Sequence, residues 1–173
     1  MSEQEVRSVL VPVSGGDILL PNAAVAEVIG LSEVVPVPDA PEWLVGTTLW
    51  HGWEMPLVAY GLLSRMAEDE PTKSSRIAVI KALSGPARMP FRGFLCRGFP
   101  RLVTVSPANL VAIPDRDASI GVLGYAILQD REVVLPDLDR TSQLVAHAAF
   151  GALPITNANV ADALREPVPP TSA

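Results

Sequence analysis

The chain has 173 residues, 49% hydrophobic and 18% charged, so it can bury a sizeable core and does not read as a disordered polymer. Its net charge of −6 argues against non-specific nucleic-acid binding and against a polybasic membrane tether, both of which need a basic face. Cys96 is the single cysteine, which excludes an internal disulfide and fits a reducing compartment.

Taken in chain order, Val6 to Val13 reads as a strand, Ser14 to Asp17 as a turn and Ile18 to Leu20 as the return strand. No Gly-Lys-Ser/Thr follows the glycine pair and no Gly-x-Gly-x-x-Gly opens a helix, so a phosphate cradle is not expected. Asn22 is a cap candidate for one or two helical turns that run into an extended Glu27-Val28-Ile29. Val34 to Trp43 carries three prolines and predicts an extended loop. Val45 to Trp50 and Glu54 to Tyr60 are short strands joined at His51-Gly52. Leu62 to Ser75 turns polar and predicts an exposed connector.

The second half restarts with a strand over Arg76 to Leu83, then a loop, then strands at Phe91 to Cys96 and Arg101 to Val105. Ile120 to Leu128 and Glu132 to Leu138 form a strand pair turned at Gln129-Asp130-Arg131. Asp137 to Ala152 is the one longer helix, with Leu144, Val145, Ala148 and Ala149 on one face. The remainder is Pro-rich and predicts a frayed tail, so deleting Leu164 to Ala173 is expected to leave the fold intact. An acidic, polar start and the lack of an apolar run near ~18 residues predict a cytoplasmic, soluble protein with no direct membrane insertion.

The halves repeat. Gly46, Glu54 and Leu57 match Gly124, Glu132 and Leu135, and the stretch from Leu19 matches the stretch from Gly93 more loosely, at an offset smaller by four. Each half then reads as hairpin, short turn, long loop, hairpin, the pattern of a small closed sheet.

Chemistry-bearing clusters are sparse. Cys96, His51 and His147 lie far apart without partners at metal-ligand spacing, and no Gly-x-Ser-x-Gly elbow occurs. Cys96 sits in an apolar strand and reads as a buried thiol, while Asp137 and Asp139 read as helix-capping carboxylates. No catalytic residue, metal or cofactor is expected. Trp50 and Trp53 flank the His51-Gly52 turn, and at least one ring is expected to be partly exposed, Trp53 in particular. Large aromatics on a protruding turn suit protein recognition.

In the order and spacing of "ILLPNAAVAEVIGLSEVVPVPDAPEWLVGTTLWHGWEMPLVAYGLL" and "GVLGYAILQDREVVLPDLDRTSQ", the chain resembles the CheW-like family of chemotaxis coupling proteins. The resemblance covers roughly Val6 to Val145. It implies a mainly β fold of two small intertwined five-stranded β-barrels, with short helices and a C-terminal helix. As one CheW-like domain it would span 6–150, with halves at 6–66 and 76–138 that exchange strands, a closing helix at 139–152 and a tail at 153–173. It implies a non-catalytic adaptor between the cytoplasmic tip of a chemoreceptor and the regulatory domain of a histidine kinase. Glu27 matches the glutamate of the family's partner-binding stretch, where Val25 and Val28 would flank it. Leu44, Trp50, His51 and Trp53 complete the expected partner surface. Where the family has Asn-Leu-Arg-Gly this chain has Leu49-Trp50-His51-Gly52, which removes a permanent forked cation, and the aspartate of the following strand is Ala59. That departure suggests a variant serving a type IV pilus system. The alternative is a small-molecule sensor using the cleft between the barrels.

Overall fold

The computed structural model describes residues 4–68, 76–82 and 89–150; the expected tail at 153–173 lies outside them. Eleven strands are present among these residues: β1 Val6–Val13, β2 Gly16–Pro21, β3 Val25–Gly30, β4 Leu44–Trp50, β5 Trp53–Val58, β6 Arg76–Lys81, β7 Phe91–Cys96, β8 Arg101–Val105, β9 Leu110–Ile113, β10 Val122–Leu128 and β11 Arg131–Pro136. Two helices join them, α1 at Tyr60–Leu63 and α2 at Leu138–Phe150. The helical turns expected from Asn22 shrink to a 3-10 turn at Asn22–Ala24. Val25, Val28 and Ile29 favour extended backbone and find a partner in β6.

The strands form a six-stranded sheet in the order β8-β1-β2-β11-β10-β9 and a five-stranded sheet in the order β3-β6-β7-β5-β4. The hairpins are exchanged: β1 and β2 leave the first half to pair with β8 and β11, and β6 and β7 pair with β3 and β5. The registers repeat residue for residue. Leu102 on β8 lies opposite Val9, and Val9 opposite Leu20; Val28 on β3 lies opposite Ala78, and Ala78 opposite Phe94.

The strand count of five plus five is exceeded by β9. Its pairing of Ile113 with Tyr125 has a counterpart in the first half, reduced to a single bridge between Val35 and Thr47. There the Thr48 hydroxyl donates to the Glu33 carbonyl at 2.7 Å, so a side chain takes the acceptor that a ladder would use.

Side-chain alternation then builds three apolar layers. On β1, Val9, Val11 and Val13 face the space between the sheets, while Leu10 faces the inside of the six-stranded sheet. On β6, Ala78 and Ile80 face between the sheets, while Ile77 and Val79 face the inside of the five-stranded one. Strands buried on both faces must be apolar throughout, which is why these segments read as continuous apolar runs. Ile29 of β3 and Trp50 of β4, on opposite edges, pack against one cluster, so the five-stranded sheet curls until its edges meet.

The segment expected as an exposed connector from Leu62 starts at the core, with Leu63 in the central layer. Tyr60, expected at the end of the preceding strand, is in the same layer, and its hydroxyl donates to the Gly121 carbonyl at 2.7 Å, tying the halves together. Burial, reinforced by Tyr125 and Asp137, holds the Tyr60 phenol protonated well above its ordinary value of 10. The unfolded chain loses that proton near pH 10 while the folded one keeps it. Stability that Tyr60 contributes below pH 10 is therefore lost as the pH rises past it, by about 1.4 kcal/mol per unit. Tyr60→Phe should flatten that alkaline decline in urea midpoints measured from about pH 9 to 11. At neutral pH it should cost about 0.5–1.5 kcal/mol, the net worth of one hydrogen bond, because the Gly121 carbonyl still accepts from the Asp137 N–H at 2.9 Å.

At α2, Asp137 caps as expected: its Oδ1 accepts from the Arg140 N–H at 2.9 Å. The buried residues of α2 are Leu138, Thr141, Ser142 and Val145; of the expected face, Val145 is buried and Leu144 packs against the central layer, while Ala148 and Ala149 are half-buried. Both hydroxyls donate to carbonyls four residues back, at 2.7 and 2.8 Å, which lets them enter the core.

Candidate partner-binding surface

The hairpin of β4 and β5 ends in a two-residue turn with His51 at φ 46° and Gly52 at φ 80°. Both values are left-handed, the geometry that matches the natural twist of a hairpin. Trp50 and Trp53 are directly opposed, so both rings project to the same side, the inner side of the curled sheet. Trp50 packs inward, its ring 4.7 Å from that of Phe91 between centroids. Trp53 lies 6.4 Å from Phe91 and remains 42% exposed. The two indoles thus plug the mouth of the sheet, one as core and one as its outer lid.

Glu27 stands across this mouth on the edge strand β3. Its Oε2 accepts from the Trp50 indole N–H at 3.0 Å and lies 3.3 Å from His51 Nε2. A bulge between Val25 and Glu27 turns the glutamate toward the mouth, opposite Val79, while Val25 and Val28 lie opposite Ile80 and Ala78 on the other face. The structure therefore splits the expected partner set. Glu27, Trp50, His51 and Trp53 gather at the mouth. Val28 is 39% exposed on the face toward the other sheet, and Val25 is half-buried beside it. Leu44 corrects the expectation of an exposed contact: it is buried at 4%, because β4 turns inward there to pair with Val58.

Residues absent from the sequence-based set join Val28. Leu102 occupies on β8 the register position that Val28 occupies on β3, and it is 71% exposed. Phe99, 68% exposed, lies 4.0 Å beneath the Arg76 guanidinium, and Arg76 sits on β6 opposite Gly30 of β3. Exposed apolar side chains thus flank the opening between the two sheets, with Arg76 on one side. The internal repeat, whose offset of 74 residues carries Val28 onto Leu102, is the signal in the sequence that could have found it.

No group of three or more His, Cys, Asp and Glu among the described residues is placed to hold a metal. Cys96 is fully buried in the central layer, and its thiol donates to the Phe94 carbonyl at 3.4 Å. No helix among the described residues is long and apolar enough to cross a membrane.

Residues 7–145 match the CheW-like domain. The chain belongs to the CheW-like family. The crystal structure of the scaffolding protein TtCheW from Thermoanaerobacter tengcongensis is similar in fold, with a TM-score of 0.62 and 15% identity over 78% of this chain and 86% of that one. No curated protein matches the sequence. In this CheW-like domain, Trp50 and His51, which stand where the family resemblance has Leu-Arg, have a structural use at the mouth. His51 and Trp50 together engage one carboxylate oxygen across the edges of the sheet. Glu27→Ala should therefore cost about 0.5–1.5 kcal/mol in chemical denaturation, a loss expected of a bonded side chain and absent from a merely solvated one.

Proposed function

We propose that this protein is a non-catalytic cytoplasmic adaptor that couples the tip of a chemoreceptor to the regulatory domain of a histidine kinase. Family membership supports the adaptor class. The observation that carries the receptor half of the reading is the opening between the sheets, where Val28, Leu102 and Phe99 are exposed and Arg76 supplies charge. A row of apolar side chains open at the surface suits the apolar stripe of a helix, and the tip of a receptor coiled coil presents one. The kinase would engage a separate face, so receptor and kinase can be held at once.

The exposed Trp53 is assigned to a partner contact. Trp53→Ala should cost no more than about 1.5 kcal/mol of stability, because much of the ring is already in water. It should weaken partner binding about 30-fold if the indole is an anchor. Unfolding and binding measured on the same variant separate an anchor from a packing residue, since each reading places its large loss in a different assay.

The exchange of the family's arginine for His51 supports a specialised array, and we assign it to one governing type IV pili. Deleting the gene should abolish twitching. Co-elution of a receptor fragment with the kinase domain in the presence of this protein, and not in its absence, is the expected biochemical result. Co-elution independent of the protein would remove the adaptor reading.

A further inference from the structure

The two sheets carry equivalent mouths with opposite chemistry. The repeat that aligns Gly46 with Gly124 places Leu128 at the position of Trp50, Gln129 at that of His51 and Arg131 at that of Trp53. Gln129, like His51, is left-handed, at φ 60°. On the facing edge strand, Arg101 occupies the position of Glu27, opposite Leu10 as Glu27 is opposite Val79. One mouth is filled by two indoles, of which Trp50 is hydrogen-bonded to the Glu27 carboxylate. In the other, a leucine and an arginine replace the indoles and a cation replaces the carboxylate.

That second mouth is a cavity of about 280 Å³, at the small end of ligand pockets. Its floor is apolar, formed by Leu10, Val103 and Leu128. Its rim carries Arg101, Thr104, Gln129 and Arg131. Arg131 is fixed by Asp17, to which its Nη1 donates at 2.9 Å. Arg101 makes no ion pair with another described residue. Asp130 is the one carboxylate in the lining, which disfavours a second negative charge on any occupant. The rim is also held in shape: Asn109 donates from its side chain to the Thr104 carbonyl at 2.8 Å and accepts at its backbone carbonyl from the Gln129 N–H at 2.8 Å.

We propose that this cavity binds a small aryl monocarboxylate, with its ring on Leu128 and its carboxylate on Arg101. The size of the ring follows from the fold itself, since the equivalent space in the other sheet holds an indole. The carboxylate follows from the exchange of glutamate for arginine at the rim, because a guanidinium recognises a carboxylate in a forked geometry. This site is distinct from the opening between the sheets and does not rest on the adaptor reading.

The test is a titration of the full-length protein with indole-3-acetate, indole and acetate, followed by amide shifts in the NMR spectrum. Indole-3-acetate should give saturable shifts at Val103, Leu128 and Gln129 with a Kd of about 0.1–1 mM, a strength suited to a ligand of this size. Indole and acetate alone should each bind at least about tenfold more weakly, since each supplies half of the contact. Arg101→Gln, at an exposed position, should weaken indole-3-acetate about tenfold while leaving the melting temperature unchanged. Leu128→Trp should fill the space and abolish the shifts. Absence of saturable shifts at 5-fold above that range, shifts that map elsewhere, or equal affinity in Arg101→Gln would each overturn the proposal.

Discussion

Replacing Arg92 with methionine is expected to stabilise the protein by about 1–4 kcal/mol. Arg92 is fully buried, and its Nε, Nη1 and Nη2 have no hydrogen-bond partner. It lies opposite Ile80 on β7, on the face that also carries Phe94 and Cys96, in the layer between the sheets. Burial pulls its pKa down from 12.5 to about 10, with Asp139 opposing the shift. The guanidinium is therefore still charged at neutral pH, in an apolar layer, with no bonds to offset its lost hydration. The repeat gives an internal comparison. Ile18, opposite Val11 on β2, stands at the same place in the other sheet and is an ordinary buried aliphatic residue. Asp139 is exposed at the surface, so removing Arg92 leaves no buried carboxylate behind. Methionine has nearly the length of arginine and adapts its shape to the space. A rise in the urea midpoint without a change in slope is the expected result. A loss of stability would mean that the guanidinium is satisfied in solution.

Phe94→Ala is expected to cost about 3–5 kcal/mol. Phe94 is fully buried between the sheets, with its ring centroid 5.4 Å from that of Tyr60. It sits where β7 pairs with both β6 and β5, so the cavity would open in the middle of the shared layer. Because the hairpins are exchanged, neither sheet holds together without strands from both halves of the chain. Unfolding should therefore remain a single transition even in this weakened variant, with fluorescence and circular dichroism coinciding. Two separated transitions would show that the sheets unfold independently.

The parts of the fold that were legible in the sequence are those governed by alternation and turn chemistry. The strands from Val6, Arg76 and Phe91 lie where apolar runs place them, and the edge strand from Arg101 lies where alternation places it. The hairpin at His51-Gly52 and the Asp137 cap follow from local geometry that needs no distant partner. What was less legible depended on tertiary context. The strand at Leu110–Ile113 is short and edge-bound, and only its pairing with β10, from Tyr125 to Leu128, reveals it. The strand expected to reach Tyr60 stops at Val58, because Tyr60 is recruited into a helical turn by its bond to Gly121. Thr141 and Ser142 hid the buried face of α2 by reading as polar.

The candidate surface shows the same division. That Trp53 is partly exposed followed from counting the two rings on one turn, although both point to one side and not to opposite sides. That Glu27 faces away from Val25 and Val28 rests on a bulge, and a bulge reverses the side of every residue beyond it. Arg92 carried no sequence signal as a buried residue, since arginine on a strand is ordinarily read as solvent-facing.

The most direct measurement of the adaptor reading is the affinity of a receptor tip fragment for wild-type protein and for Leu102→Asp, by calorimetry, beside the melting temperature of each. Leu102 is 71% exposed on the edge strand β8, so the substitution should leave melting nearly unchanged. If the opening between the sheets receives the receptor helix, a carboxylate there should weaken binding about 30-fold or more, the scale of an anchor contact. Wild-type affinity in a normally folded Leu102→Asp variant would contradict the account.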